Sequence, residues 1–149
     1  MNSFGVLRYT LDASVVVKWF LRRDESGQAA AIRFRQDYLN GRLEIRCPDL
    51  LGYEVANVLR YKTGIREAAV LDAVRSLYLL DILIPADQEI MDAAVRIALG
   101  HDLSVYDAVY LGFARRQGCR LVTADRKILQ KLAGAADVLS LEKVFSILS

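Results

Sequence analysis

At 149 residues the chain fits one domain and is long enough for a real core. Twenty Lys+Arg against eighteen Asp+Glu leave a net charge of +2, too small to argue nucleic-acid binding on charge alone, and no stretch approaches the roughly 20 apolar residues of a membrane span. A hydrophobic fraction of 54% with a mean hydropathy of +0.21 is high for a soluble protein, so some apolar surface is expected to be covered by a partner or a second copy.

In chain order, Gly5 to Leu11 is an alternating, β-rich run ending at Asp12, and Ala13 to Leu21 continues as a short apolar helix. Arg22, Arg23 and Asp24 make a charged turn. Glu25 to Leu39 is amphipathic, with Ala29, Ile32, Phe34 and Leu39 available to pack, and Asn40 with Gly41 stops it. Leu43 to Cys47 is a second strand; Pro48 and Asp49 open a helix whose apolar face includes Leu51, Val55, Val58 and Leu59. Gly64 separates this helix from another, Arg66 to Leu79. A strand over Ile82 to Ile84 and Pro85 precede a helix from about Asp87 to Leu99, closed by Gly100.

The next stretch organises the rest. Ser104 caps a helix that Gly118 ends in the left-handed conformation, and Cys119 to Thr123 is a short apolar strand running into Asp125, a cap for a helix from Arg126. A weak strand near Val138 and a helix from Leu141 to Leu148 follow. This alternation predicts one α/β domain: a mostly parallel sheet between two layers of helices, an α/β/α sandwich.

Cys47 and Cys119 lack CxxC or metal-ligand spacing and read as buried free thiols, which suits a reducing, cytoplasmic compartment. The N-terminus shows no charged leader ahead of an apolar run. His101 reads as a loop or packing histidine.

Four acids are predicted to share one sheet edge. Ligands of open parallel sheets bind beyond the carboxyl ends of the strands. Asp12 follows the first strand and Asp125 the fourth, Glu54 lies one turn into the helix after the second, and Asp107 one turn into the helix leading to the fourth. Each also has a structural reading. Asp12 and Asp125 could be plain N-caps, Asp107 stands at capping-box spacing from Ser104, and Glu54, beside an apolar stripe, could pair with an arginine. Asn57, at i+3 on the same side, could be a hydrogen-bond partner for Glu54 or a group supporting the acids from behind, and Ser14 and Thr123 could orient an acid, hold a metal-bound water or finish local hydrogen bonds. Carboxylates gathered in low dielectric repel one another until a cation relieves them, and oxygen-only donors suit Mg²⁺ or Mn²⁺ better than zinc. Basic residues bracket the acids, Arg115, Arg116, Arg120, Arg126, Lys127 and Lys131 among them, either as solvated faces or as a rim around the acidic centre.

The segments LDAS (11–14), YEVAN (53–57), LSVYDAVYL (103–111) and LVTAD (121–125) together resemble the PIN-domain ribonucleases, most closely the small VapC-type toxins. The resemblance covers the whole chain and matches the family's acidic positions in order at Asp12, Glu54, Asp107 and Asp125. It implies a Mg²⁺- or Mn²⁺-dependent endoribonuclease, a homodimer, and inhibition by a cognate VapB-like antitoxin that occupies the site. Lys18 and Arg22 would add backbone attraction for RNA that weakens with salt. Tyr53, Tyr106 and Tyr110 could stack bases, with core packing the expected use of most of them.

A catalytically silent PIN-like module that binds RNA or protein is the alternative. Phosphotransfer folds fit less well. Ser14 stands where the haloacid-dehalogenase pattern needs a second Asp, a receiver's acidic pair and lysine are missing, and neither GxxxxGK[ST] nor GxGxxG occurs.

Overall fold

The computed structural model describes residues 5–21 and 26–148. Strand β1 (Leu7–Leu11) leads into a short helix, α1 (Ala13–Val16), that tightens into a 3-10 turn over Val17–Trp19 instead of continuing as α-helix to Leu21. Three consecutive valines, Val15 to Val17, are stiff at χ1 and support a helical run poorly. The expected turn at Arg22, Arg23 and Asp24 and the expected helix start at Glu25 lie outside the described residues.

Helix α2 (Gln28–Leu39) stops at Asn40 as predicted, and Gly41 lies in the left-handed region. Its buried face is Ala30, Ala31, Phe34 and Asp37, so of the four expected packing residues only Phe34 is in the core; Ala29, Ile32 and Leu39 are exposed. The difference comes from Asp37, which occupies a core-side position that apolar periodicity cannot reveal. Arg33 at 2.8 Å and Arg42 at 3.1 Å offset its charge.

The strand expected over Leu43 to Cys47 is two strands, β2 (Leu43–Ile45) and β3 (Cys47–Pro48). β2 pairs with β1, but past Arg46 the chain pairs instead with β4 (Leu83–Ile84), the Cys47 N–H donating to Ile82 O at 2.8 Å. The Cys47 side chain takes the place of a ladder partner for β1: its thiol donates to Leu11 O at 3.3 Å and its sulfur accepts from Leu11 N at 3.5 Å. The single expected sheet is therefore a four-stranded sheet of order β2-β1-β5-β6 and a two-stranded β3-β4 pair, all pairings parallel, with β5 at Arg120–Thr123 and β6 at Val138–Ser140.

Helix α3 (Leu50–Arg60) buries Leu51, Val55 and Leu59 but leaves Val58 exposed, narrowing its predicted apolar face. Helix α4 (Glu67–Leu79) buries Ala73 and Leu77. Helix α5 (Gln88–His101) runs through Gly100, which was expected to close it, and ends instead at Asp102, which turns left-handed with φ of 52°. Lys131 Nζ holds this turn, donating to the Asp102 carbonyl at 2.5 Å and its carboxylate at 3.0 Å.

Helix α6 (Val105–Arg116) is the central helix: Ala108 to Ala114 are all buried, as befits a helix apolar on every side. It packs on β1, β3 and β5 and also on α5. Gly112 permits that last approach, since a Cβ there would lie 3.2 Å from Ile90 O and 3.4 Å from Ala94 N. Gly118 ends the helix with φ of 65°, as predicted. After β5 come α7 (Arg126–Lys131) and α8 (Leu141–Leu148); α2 packs on β2, α8 on β5 and β6, and the two helices on each other. Helices thus flank a parallel sheet in the α/β/α sandwich the sequence predicts. Strand order reverses at β1, with β2 on one side and β5 on the other, and this reversal places a crevice at the carboxyl ends of β1 and β5.

Candidate functional site

Asp12 and Thr123 stand side by side at that crevice, because Leu11 and Val122 are in register on the paired strands. Asp12 is 4% exposed and precedes α1, yet its carboxylate does not cap the helix. It accepts instead from Ser14 Oγ and from Thr123 Oγ1, each at 2.5 Å. Ser14 Oγ also accepts from Ala124 N at 2.9 Å, and Thr123 Oγ1 from Asp125 N at 3.0 Å. Ser14 and Thr123 therefore orient an acid, one of the uses open to them from sequence. Burial pushes the Asp12 carboxyl up to about 6; the two hydroxyls oppose the rise, and the charge of Asp125 adds to it.

Asp125 does cap a helix. Its Oδ1 accepts from Lys127 N at 2.8 Å and Ile128 N at 3.1 Å, which leaves Oδ2 outside the cap. Asp107 shows half of a capping box: Ser104 Oγ accepts from its N–H at 3.1 Å, while its own carboxylate has no hydrogen bond among the described residues.

Glu54 is half-buried on α3, and its partner is neither an arginine nor Asn57. The phenol of Tyr110, buried in α6, donates to Glu54 Oε1 at 2.5 Å. Burial raises the Glu54 carboxyl, the Tyr110 bond opposes that, and the nearby charge of Asp107 adds to the rise. Burial likewise raises the Tyr110 phenol, with the charges of Glu54 and Asp12 both contributing. Tyr110 is the residue that sequence reasoning undervalued. Its place one turn after Asp107 on the same side of α6 was the available signal. Asn57 is exposed on α3 and not bonded to Glu54. Tyr53 at 72% and Tyr106 at 65% exposure are not core residues, contrary to the packing expectation.

Asp12 thus feels the charge of Asp125, and Glu54 that of Asp107, while Tyr110 feels both Glu54 and Asp12. Among the described residues no three His, Cys, Asp or Glu side chains gather closely enough to cage an ion, so the tight four-carboxylate pocket expected from sequence is looser here. That arrangement still fits a hard divalent ion such as Mg²⁺, which keeps several waters and takes only one or two carboxylates. Among the described residues, none of the four acids is in an ion pair. Half of the named basic rim is committed elsewhere: Arg115 pairs with Asp137, Arg116 with Glu89 and Lys131 with Asp102. Arg22 lies outside the described residues. His101 is exposed at the end of α5, and both cysteines are free and buried. No helix among the described residues is long and apolar enough to cross a membrane.

Comparison with known proteins places this arrangement in a family. The PIN domain profile matches residues 9–135. Ribonuclease VapC3 of Pyrobaculum aerophilum is 28% identical over 130 residues, 84% of this chain and 95% of that protein, and Exonuclease VapC9 of the same organism is 44% identical over 48 residues, 32% of this chain and 36% of that protein. Among solved structures, a Pyrobaculum aerophilum protein superposes with a TM-score of 0.69 at 22% identity, covering 99% of this chain and 94% of its own. A toxin-antitoxin complex from Klebsiella pneumoniae gives 0.63 at 18% identity, with 89% and 97% covered. VapBC2 from Rickettsia felis, bound to a promoter DNA fragment, gives 0.66 at 9% identity, with 90% and 97% covered. With the profile spanning all four acids and most of the sandwich, the chain belongs to the PIN-domain family.

Proposed function

We propose that this protein is a metal-dependent endoribonuclease that hydrolyses RNA phosphodiester bonds and acts as the toxin of a toxin-antitoxin pair. The observation that carries the reading is Asp12: a carboxylate buried at the topological switch point, held by two hydroxyls with no cation paired to it among the described residues, and set beside a second acid. Such a group is uncomfortable as an anion unless a cation is supplied.

Asp12, Asp107, Asp125 and Glu54 are the residues that would hold Mg²⁺ or Mn²⁺. When bound, such an ion lowers the pKa of a coordinated water and offsets phosphate charge. Ser14 and Thr123 keep the Asp12 carboxylate aimed from the ends of β1 and β5. Tyr110 fixes Glu54 from the core, and Asn57 stands exposed one turn further along α3 as a group beside the substrate path. Bare acids repel a phosphodiester, so the cation must be in place before RNA approaches.

An antitoxin partner is supported by the toxin-antitoxin complexes among the structural neighbours. A homodimer is supported by exposed apolar side chains on α4 and α5, namely Leu71, Leu79, Met91, Val95 and Leu99. Two buried free thiols suit a cytoplasmic setting.

The test is incubation of a circular RNA with purified protein in Mg²⁺, alongside an Asp107→Asn control. A circle has no ends, so its linearisation demonstrates internal cleavage and separates this reading from an exonuclease such as the one named among the relatives. Cleavage by the parent and its loss in the variant are expected. RNA binding without cleavage would favour the catalytically silent module, and equal cleavage by the variant would mean a contaminant.

A further inference from the structure

We infer that Tyr110 is a positioning residue that sets which ion the acids accept: by tying down one oxygen of Glu54 it leaves this acid a single oxygen to offer, which discriminates against Ca²⁺. The inference rests on the cation-dependent reading above and deepens it by assigning ion selectivity to one side chain.

The hydrogen bonds already made by the acids carry it. Tyr110 is 2% exposed and its phenol donates to Glu54 Oε1 at 2.5 Å, so that oxygen is turned to the core and Oε2 is the one left for a ligand. Burial holds the phenol well above its ordinary value, which keeps it a donor at neutral pH. Asp125 is limited in the same way: its Oδ1 accepts from both Lys127 N and Ile128 N, which uses its two lone pairs and leaves Oδ2. Asp12 is held on both oxygens, by Ser14 from α1 and Thr123 from β5, and is not free to turn. Of the four acids, Asp107 alone has a carboxylate with no hydrogen bond among the described residues.

Divalent ions answer such a donor set differently. Ca²⁺ gathers about six to eight oxygens and often takes both oxygens of one carboxylate, whereas Mg²⁺ keeps an octahedral shell in which one or two carboxylates give single oxygens and water supplies much of the rest. Acids that offer one oxygen at a time, with no three of them gathered into a cage among the described residues, meet the second demand and fail the first. The aim of the phenol matters here. A buried hydroxyl is equally well satisfied by a backbone carbonyl, as the Tyr38 phenol is by Leu80 O at 2.6 Å, but that of Tyr110 is directed at an acid of the site.

The experiment is calorimetric titration of Mg²⁺, Mn²⁺ and Ca²⁺ into the metal-free protein at pH 7.5, with no RNA present. It compares the parent with Tyr110→Phe, which keeps the ring and removes only the hydroxyl, and repeats both in a Glu54→Gln background. The parent should bind Mg²⁺ and Mn²⁺ at least about 10-fold more tightly than Ca²⁺. In Tyr110→Phe the released Glu54 can turn both oxygens to an ion, so Mg²⁺ should lose affinity and Ca²⁺ should not, narrowing the ratio roughly 10-fold. With Glu54→Gln present, Tyr110→Phe should leave the ratio alone, because an amide cannot chelate with both ends. The inference is overturned by a parent that binds Ca²⁺ as tightly as Mg²⁺, a result that needs no variant. It is also overturned by a ratio that Tyr110→Phe does not move, or that narrows equally with Glu54→Gln present, since the hydroxyl would then serve only the fold. RNA cleavage by the same parent in Mg²⁺ separates this from the nuclease reading. Cleavage with an unmoved ratio would sink the inference alone, and a ratio that narrows as described in a protein that cuts no RNA would sink the nuclease reading alone.

Discussion

Asp12 ties charge to stability. Its folded-state value of about 6 exceeds the ordinary 3.8, so the metal-free fold favours the protonated acid. The contribution is fully present below about pH 4 and is lost as pH rises through 6, a difference on the order of 3 kcal/mol. Urea unfolding in EDTA should therefore find Asp12→Asn equal to or more stable than the parent at pH 7.5, with the advantage shrinking as pH falls to 4. A large loss of stability at pH 7.5 would mean that the ionised carboxylate is a structural element. Thr123→Val removes the hydroxyl that donates to Asp12 and accepts from Asp125 N, and should weaken divalent-ion binding by roughly 10- to 100-fold in calorimetric titration. Unchanged affinity would remove Thr123 from the site. That Asp12, Ser14 and Thr123 lie near one another was legible, because Asp12 and Thr123 end or follow strands expected to run parallel in one sheet and Ser14 is two residues from Asp12. Tyr110 was not, because a tyrosine in an apolar helix looks the same whether its hydroxyl ends against a carboxylate or in water.

Among the elements, α7 separates charge from capping. Asparagine caps nearly as well as aspartate, so Asp125→Asn should keep the stability of the metal-free protein, while Asp125→Ala should lose about 1 kcal/mol by thermal unfolding. Equal losses in both would show that the carboxylate charge itself stabilises the helix. At the crossing of α5 and α6, Gly112→Val should cost about 1–3 kcal/mol, because the added carbons meet the backbone of Ile90 and Ala94. A neutral result would mean that the two helices separate easily. One helix start followed well from Ser104, and two helix stops from Gly118 and from Asn40 with Gly41, all of which act locally. The break between β2 and β3 did not, because it depends on Cys47 meeting the backbone of Leu11, 36 residues away. The buried face of α2 escaped for a related reason: Asp37 is tolerated only because Arg33 and Arg42 are there to meet it.

For the whole molecule, alternating strand and helix patterns were enough to predict parallel pairing and helices on both faces, and parallel pairing alone puts Asp12, Glu54, Asp107 and Asp125 toward one edge. Pattern cannot set how closely they meet. That depends on side-chain packing around Tyr110, and among the described residues no three of the acids gather into the one cluster expected. A cation at this edge should stabilise the fold as a whole, adding about 2.7 kcal/mol when present at a hundred times its dissociation constant. Calorimetric titration of Mg²⁺ or Mn²⁺ into the metal-free protein at pH 7.5, repeated with Asp12→Asn, tests this most directly. The parent should bind the ion and Asp12→Asn should bind it far more weakly; a parent that takes up no ion, or a variant that matches it, would contradict a cation-dependent acidic centre.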